Sequence, residues 1–228
     1  MKILGIIPAR GGSKRLVNKN IKELGGKHLI EWTIESAIKS KTFCDILIST
    51  DSKEVSSIVK KYDVLIPWLR PSNLATDESK IIDVLRHAVN WYQDEIKKVD
   101  GIFLLQPTSP FRKMSTIIEA SRLYDENNKK MVVSFTKTES KPFWSFIKNK
   151  ENKMEALFPK KLNLRSQDLP NTYEVNGLAY LISPEDLMKQ KTFFSKSIVP
   201  LVTLDKKEAV DIDYLEDFKE AESLLSKD

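Results

Sequence analysis

The sequence predicts an α/β fold, a mostly parallel β-sheet covered by helices on both faces. Short apolar runs alternate along the chain with longer amphipathic segments. The runs are apolar throughout rather than at every second position, as in strands buried on both sides. A length of 228 residues suits one large domain with a substantial core.

The elements follow in order. "ILGIIP" reads as a buried first strand. "HLIEWTIESAIKS" places Leu29, Ile30, Thr33, Ile34, Ala37 and Ile38 on one helical stripe. "DILIST" is a second strand, after which Asp51 and Glu54 have the spacing of a capping box opening "SKEVSSIVKKY". "VLIPWL", the helix over "SKIIDVLRHAVNWYQDEI" and the strand "GIFLLQ" repeat the rhythm, and "STIIEASRLYDEN" and "MVVSFT" continue it. After an interruption come the strand "NGLAYLIS", a helix opened by Ser183-Pro184, the strand "SIVPLVTL" and a closing helix from Tyr214 to Leu225. Sheets of this kind hold ligands at the carboxyl ends of their strands. Three loops qualify: those after Ile7, Leu69 and Leu105.

The rhythm breaks at about 138–172, a stretch rich in Lys, Asn, Phe and Pro that includes Phe143, Trp144, Phe146 and Phe158. Aromatics left exposed there would be a liability on a monomer. The reading is one domain, 1–228, carrying an insertion that buries these side chains against a second subunit. The alternative is local packing onto the parent sheet.

Composition excludes several classes. Charge is mixed, 37 basic against 32 acidic residues, and no Lys/Arg block forms a nucleic-acid arm. Cys44 is the only cysteine, so no internal disulfide exists, which fits a reducing compartment. His28 and His87 are far apart and no Cys/His cluster has zinc spacing. No apolar run has the roughly 20 residues needed to span a bilayer, and the first one is too short for a signal peptide. The expectation is a cytoplasmic protein that binds neither nucleic acid nor membrane.

Chemistry gathers at two places. In "PARGGSKR", glycines after a strand allow backbone N–H groups to form an anion nest, and Arg10, Lys14, Arg15 and Lys19 turn it into a phosphate cradle. The bland alternative is a glycine turn with solvated charges. The spacing matches neither GxGxxG nor GxxxxGK[ST], which disfavours a dehydrogenase and an ordinary P-loop ATPase. In "VDIDYLEDF", Asp211 and Asp213 alternate and share a face. Either Asp213 caps the helix beginning at Tyr214, or the pair holds Mg²⁺, which usually takes one or two carboxylates and completes its shell with water and phosphate oxygens. A facing cradle favours the metal.

"IIPARGGSKR…NKNI", "LLQPTSPFR", "RSQDLP…NG" and "DIDYLEDF" occur in this order over nearly the whole chain. Together they resemble the CMP-N-acetylneuraminate synthetases, the cytidylyltransferases that activate sialic acids. The resemblance implies a Rossmann-like nucleotidyltransferase fold, a homodimer formed through a swapped insertion, and Mg²⁺-dependent coupling of CTP to a nine-carbon acid sugar with release of pyrophosphate. It places Arg10, Gly11, Ser13, Lys14, Lys19, Asn20, Arg70 and Ser79 at the nucleotide, Ser79 near the cytosine. Gln106, Arg165, Phe193 and Phe194 fall at the sugar, and Asp211 and Asp213 at the metal. Arg10, Lys14, Arg165, Asp211 and Asp213 would carry catalysis. Two positions depart from the pattern: Ser166 stands where the family often has a second arginine, and Glu174 where some bacterial members have one. These leave the sugar open among sialic, legionaminic and pseudaminic acids. Other readings are an enzyme for another acid sugar such as Kdo, and a nucleotide-binding module without chemistry.

Overall fold

The structure is a computed structural model that describes residues 1–194 and 197–226. In chain order its elements are β1 (Ile3–Pro8), β2 (Glu23–Leu24), β3 (Lys27–His28), α1 (Leu29–Ser40), β4 (Asp45–Ser49), α2 (Lys53–Val59), α3 (Ile81–Glu95), β5 (Gly101–Leu104), α4 (Met114–Glu126), β6 (Val132–Lys137), β7 (Phe146–Lys148), β8 (Met154–Ala156), β9 (Tyr173–Ile182), α5 (Pro184–Lys189), β10 (Val199–Thr203) and α6 (Leu215–Leu225). The central sheet is six-stranded, in the order β10-β6-β9-β5-β1-β4. β1 runs parallel to β4 and β5, and β10 parallel to β6, whereas β9 is antiparallel to both of its neighbours. The sheet is therefore mostly parallel, as expected.

Strand periodicity sorts the first strand between two cores. Ile3 and Ile7 pack with Ile30, Ile34, Ala37, Ile117 and Ala120 of α1 and α4. Leu4 and Ile6 face the other way, onto Leu85, Ala88 and Val89 of α3 and Leu187 of α5. Each fully buried aliphatic side chain stabilises by about 1.5–3 kcal/mol. α6 closes a third cluster, in which Phe218 and Ala221 meet Leu24, Leu29 and Ile212.

Several local expectations change in three dimensions. Ile38, assigned to the buried stripe of α1, is 39 % exposed, whereas Ile34 and Ala37 on that stripe are buried. "VLIPWL" forms no strand; it contributes one parallel bridge, Leu47 to Leu65, since Pro67 has no N–H to continue a ladder. Ser52, not Asp51, caps α2, its hydroxyl accepting from Val55 N at 3.2 Å.

Between β6 and β9 the chain leaves the main sheet and forms the small antiparallel pair β7–β8. Phe143 and Phe158 pack edge to face at 5.3 Å, while Trp144, Phe146 and Phe158 are exposed. Among the described residues, no helix is long and apolar enough to cross a membrane.

Candidate active site

Parallel pairing of β1 with β4 and β5 brings the carboxyl ends of these strands to one edge. The loops carrying Arg10, Arg70 and Gln106 meet there around a cavity of about 630 Å³. Each comes from one of the three loops singled out in the sequence.

The loop after β1 forms one wall. Asn20, nearly buried, donates to the Arg10 carbonyl at 2.9 Å and so ties the loop back on itself. Asn18 makes the tie possible with a φ of 55°, a conformation that asparagine tolerates better than most residues. Arg10, Ser13, Lys14, Arg15, Lys19 and Asn20 line the cavity. Gly11 does not: its N–H donates to Asp51 Oδ1 at 3.0 Å, and a Cβ there would sit 3.1 Å from the Ser52 Cβ. The expected nest of glycine N–H groups is therefore not open at Gly11. Close packing against the segment after β4 accounts for that glycine.

Asp51, read in the sequence as a helix cap, is thus a brace of the phosphate-side loop, and it lies 3.9 Å from the Arg70 guanidinium. Arg70 is buried, yet its Nε and Nη2 atoms have no hydrogen-bond partner. Burial pushes its pKa down, Asp51 opposes this, and the charge of Arg10 adds to the depression. An under-satisfied buried cation on a cavity wall is costly, and an acceptor entering the cavity relieves that cost.

The opposite wall is the segment after Arg70. Ser79 Oγ accepts from Thr76 N at 3.0 Å and donates to the Asn73 carbonyl at 3.1 Å, stapling the turn. The turn presents Asp77 across the cavity, where it pairs with Arg10 at 2.8 Å and Lys14 at 2.5 Å. The bond from Lys14, then that from Arg10, holds the Asp77 carboxyl below the ordinary aspartate range. Sequence reading missed Asp77. An acidic residue near a basic loop is only informative once the fold brings them together.

The third wall is the loop after β5, held by Arg112. This fully buried guanidinium donates to the carbonyls of Leu178 at 2.7 Å and Gln106 at 2.9 Å. Burial lowers its pKa to about 10, with Glu208 and then Asp211 opposing, so it is charged at neutral pH. Gly177 sits at a bulge in β9 with a φ of 74°, and a Cβ there would be 3.1 Å from Gln106 Oε1. A residue at position 177 must therefore lack a side chain for Gln106 to stay where it is.

Asp213 closes the cavity from the far end of the chain. Its carboxylate meets Lys19 Nζ and Arg15 Nη1, each at 2.8 Å. Burial works to raise its pKa, but the bond to Lys19 and the charges of Lys19 and Arg15 outweigh it and hold the group low. Its side chain does not cap α6, for Asp217 accepts from the N–H groups of Asp213 and Tyr214. Ile212 is buried between the two aspartates and anchored to the Thr108 carbonyl at 2.8 Å. Asp211 is exposed as a residue, yet neighbouring atoms crowd its carboxyl. That desolvation raises its pKa, against a hydrogen bond from Thr108 and together with the charge of Asp213. Among the described residues, no three His, Cys, Asp or Glu side chains gather as a metal cage.

Of the positions proposed from the sequence, Arg10, Ser13, Lys14, Lys19, Asn20, Arg70, Ser79, Gln106 and Asp213 line this cavity. Arg165 does not line it; it is exposed within the insertion and paired with Asp168 at 2.8 Å. Phe193 is buried in the second core against Tyr180, ring centroids 4.9 Å apart, and Phe194 is 61 % exposed. The two are not a pair lining this cavity.

The chain is similar in sequence to several cytidylyltransferases and synthases. CMP-N,N'-diacetyllegionaminic acid synthase of Legionella pneumophila is 36% identical over 226 residues, 99% of this chain and 97% of the relative. N-acylneuraminate cytidylyltransferase of Escherichia coli is 34% identical over 99% of this chain, which spans 52% of that longer protein. Pseudaminic acid cytidylyltransferase of Campylobacter jejuni is 30% identical over 98% of this chain and 96% of its own. A CMP:2-keto-3-deoxy-manno-octonic acid synthetase structure, complexed with CTP, superposes with a TM-score of 0.75 at 15% identity over 100% of this chain and 99% of that one, a likeness of fold. The cytidylyltransferase family model matches residues 4–227, and the chain belongs to that family.

Proposed function

We propose that the chain couples CTP to a nonulosonic acid of the sialic type, giving the CMP-sugar and pyrophosphate. The observation that carries this reading is the convergence of Arg10, Lys14, Arg15 and Lys19 on one cavity that also presents Gln106 and Asp213. Charged hydrogen bonds are worth roughly 1.5–3 kcal/mol each, so several of them suffice to hold a triphosphate. The orphaned nitrogens of Arg70 supply donors for the nucleotide. The names of the relatives support an acid sugar as the acceptor.

In the reaction the anomeric hydroxyl of the sugar forms a bond to the α-phosphorus and gives up its proton to solvent water. The bond from that phosphorus to the bridging oxygen breaks, and pyrophosphate leaves. Arg10 and Lys14 neutralise the leaving group, and Gln106 orients the sugar. Catalysis is positioning and preorganised charge. Asp211 and Asp213 are the carboxylates that would hold Mg²⁺: Asp213 lines the cavity, and Asp211, two positions earlier and outside the lining, is a crowded carboxyl whose raised pKa a cation would relieve. When bound there, the ion supplies further charge neutralisation at the phosphate oxygens.

The insertion supports a homodimer. Trp144, Phe146, Ile147, Met154, Leu157 and Phe158 are all exposed on it, an apolar surface of the kind that marks an interface. Arg165, exposed on the same insertion and away from its own cavity, is available to a partner's. Sedimentation checks the dimer, which Phe146→Glu should dissociate.

The test of function is pyrophosphate release from CTP and Mg²⁺ with N-acetylneuraminic, legionaminic, pseudaminic and 3-deoxy-manno-octulosonic (Kdo) acids in turn. Release with one of the nine-carbon acids establishes the reaction and names the substrate. Release with Kdo alone reassigns the acceptor. CTP binding without release from any acid overturns the reading in favour of a binding module.

A further inference from the structure

Asp77 stands where an incoming anion would go. Its two carboxylate oxygens pair separately with Arg10 Nη1 and Lys14 Nζ, the two cations assigned above to the leaving pyrophosphate. The contact crosses the cavity, from the turn after Arg70 to the loop after β1. Hydrogen bonds among Asn73, Thr76 and Ser79 hold the turn, so the carboxylate is delivered by a formed structure. Without it, Arg10, Lys14 and the buried Arg70 would be left close together as like charges, a repulsion already felt between Arg10 and Arg70.

We propose that Asp77 is a positioning residue that acts as a displaceable internal anion. It holds Arg10 and Lys14 in place while the cavity is empty, and the pyrophosphate moiety of the nucleotide must expel it to bind. The inference rests on the cavity being the triphosphate site. Exposure makes the exchange feasible: the side chains of Asp77, Arg10 and Lys14 are 40%, 33% and 81% exposed, and ion pairs so exposed are weak. A pyrophosphate group carries more charge and more acceptor oxygens than one carboxylate, so it wins the competition on entry. When pyrophosphate leaves after the reaction, the carboxylate returns to the same cations and favours its departure.

The test is calorimetric titration of the full chain with inorganic pyrophosphate at low salt, using wild type, Asp77→Asn, Asp77→Glu and Arg10→Ala, with thermal unfolding of each. Asp77→Asn should bind pyrophosphate about three- to tenfold more tightly, the scale of exposed ion pairs, at unchanged Tm. Asp77→Glu, which restores the competing charge, should bind like wild type, and Arg10→Ala should bind more weakly. A purely structural role for Asp77 predicts weaker binding in Asp77→Asn. That result, or unchanged binding, with Arg10→Ala still impaired, overturns the inference and leaves the cavity assignment standing. Unimpaired binding in Arg10→Ala overturns the cavity assignment itself.

Discussion

Lys19 Nζ meets the Asp213 carboxylate at 2.8 Å and the Ile212 carbonyl at 3.0 Å, joining residues 194 positions apart. The contact pins the loop after β1 to the segment before α6, and the Lys19 side chain is mostly shielded from solvent, at 14% exposure. Asp213 is thereby held ionised at the edge of the cavity.

Asp213→Asn should lower turnover by at least about 10²–10³, the scale for losing a preorganised charged group. Its partner Arg15 is exposed but Lys19 is only 14% exposed, so losing the counter-charge of Lys19 should also cost stability, about 1–3 kcal/mol. Pyrophosphate release titrated with Mg²⁺, beside thermal unfolding, checks both. Substantial Mg²⁺-dependent turnover in the variant removes the metal assignment.

Arg70→Met separates binding from folding. The guanidinium is buried with two unpartnered nitrogens, and an apolar side chain in its place removes the cost of those unsatisfied groups. Tm should not fall, while CTP affinity should drop about 10- to 100-fold, the worth of one charged hydrogen bond. A large loss of Tm would mean that Arg70 is structural.

Gly177→Ala places a side chain at a φ of 74° and 3.1 Å from Gln106 Oε1. Left-handed backbone costs a non-glycine residue roughly 1–2 kcal/mol. Stability should fall by about that much, and the KM for the sugar should rise more than the KM for CTP as Gln106 is displaced. Equal changes in both KM values would argue against Gln106 as a sugar contact.

Glu31 is buried and accepts from His28 N at 2.7 Å and Tyr62 Oη at 2.9 Å, with Lys61 at 2.5 Å. Burial alone would raise its pKa, but the bond to Lys61 and those from His28 and Tyr62 together carry it below the ordinary 4.5. A depressed carboxyl stabilises the fold fully above its unfolded-state value, and that contribution is lost as pH falls through the folded-state value. Glu31→Gln should therefore be less stable at pH 7 by about 1 kcal/mol or more. The gap to wild type should close below pH 4.5, which denaturant unfolding from pH 7 to pH 3 would follow.

Much of this protein is legible in one dimension because much of its physics is local. Strands such as Ile3–Pro8 and helices such as Leu29–Ser40 announce themselves by apolar spacing. The basic loop and the Asp211/Asp213 pair announce themselves by residue type and order. Parallel alternation even places the three loops at one edge, since the carboxyl ends of parallel strands lie together.

Only the tertiary structure decided which charges meet. Asp77 looks like an ordinary polar loop residue, and Asp51 like a helix cap, until the turn after Arg70 crosses the cavity and β4 lies beside β1. Phe193 and Phe194 are adjacent and alike in sequence, yet one enters the core and the other faces solvent, a choice made by the packing of Tyr180 and Leu187. Arg165 carries a motif but sits away from the cavity. Secondary structure follows from interactions between residues a few positions apart. Ion pairing and burial depend on distant neighbours, as Lys19 depends on Asp213 194 positions away, and those neighbours exist only once the sheet has assembled.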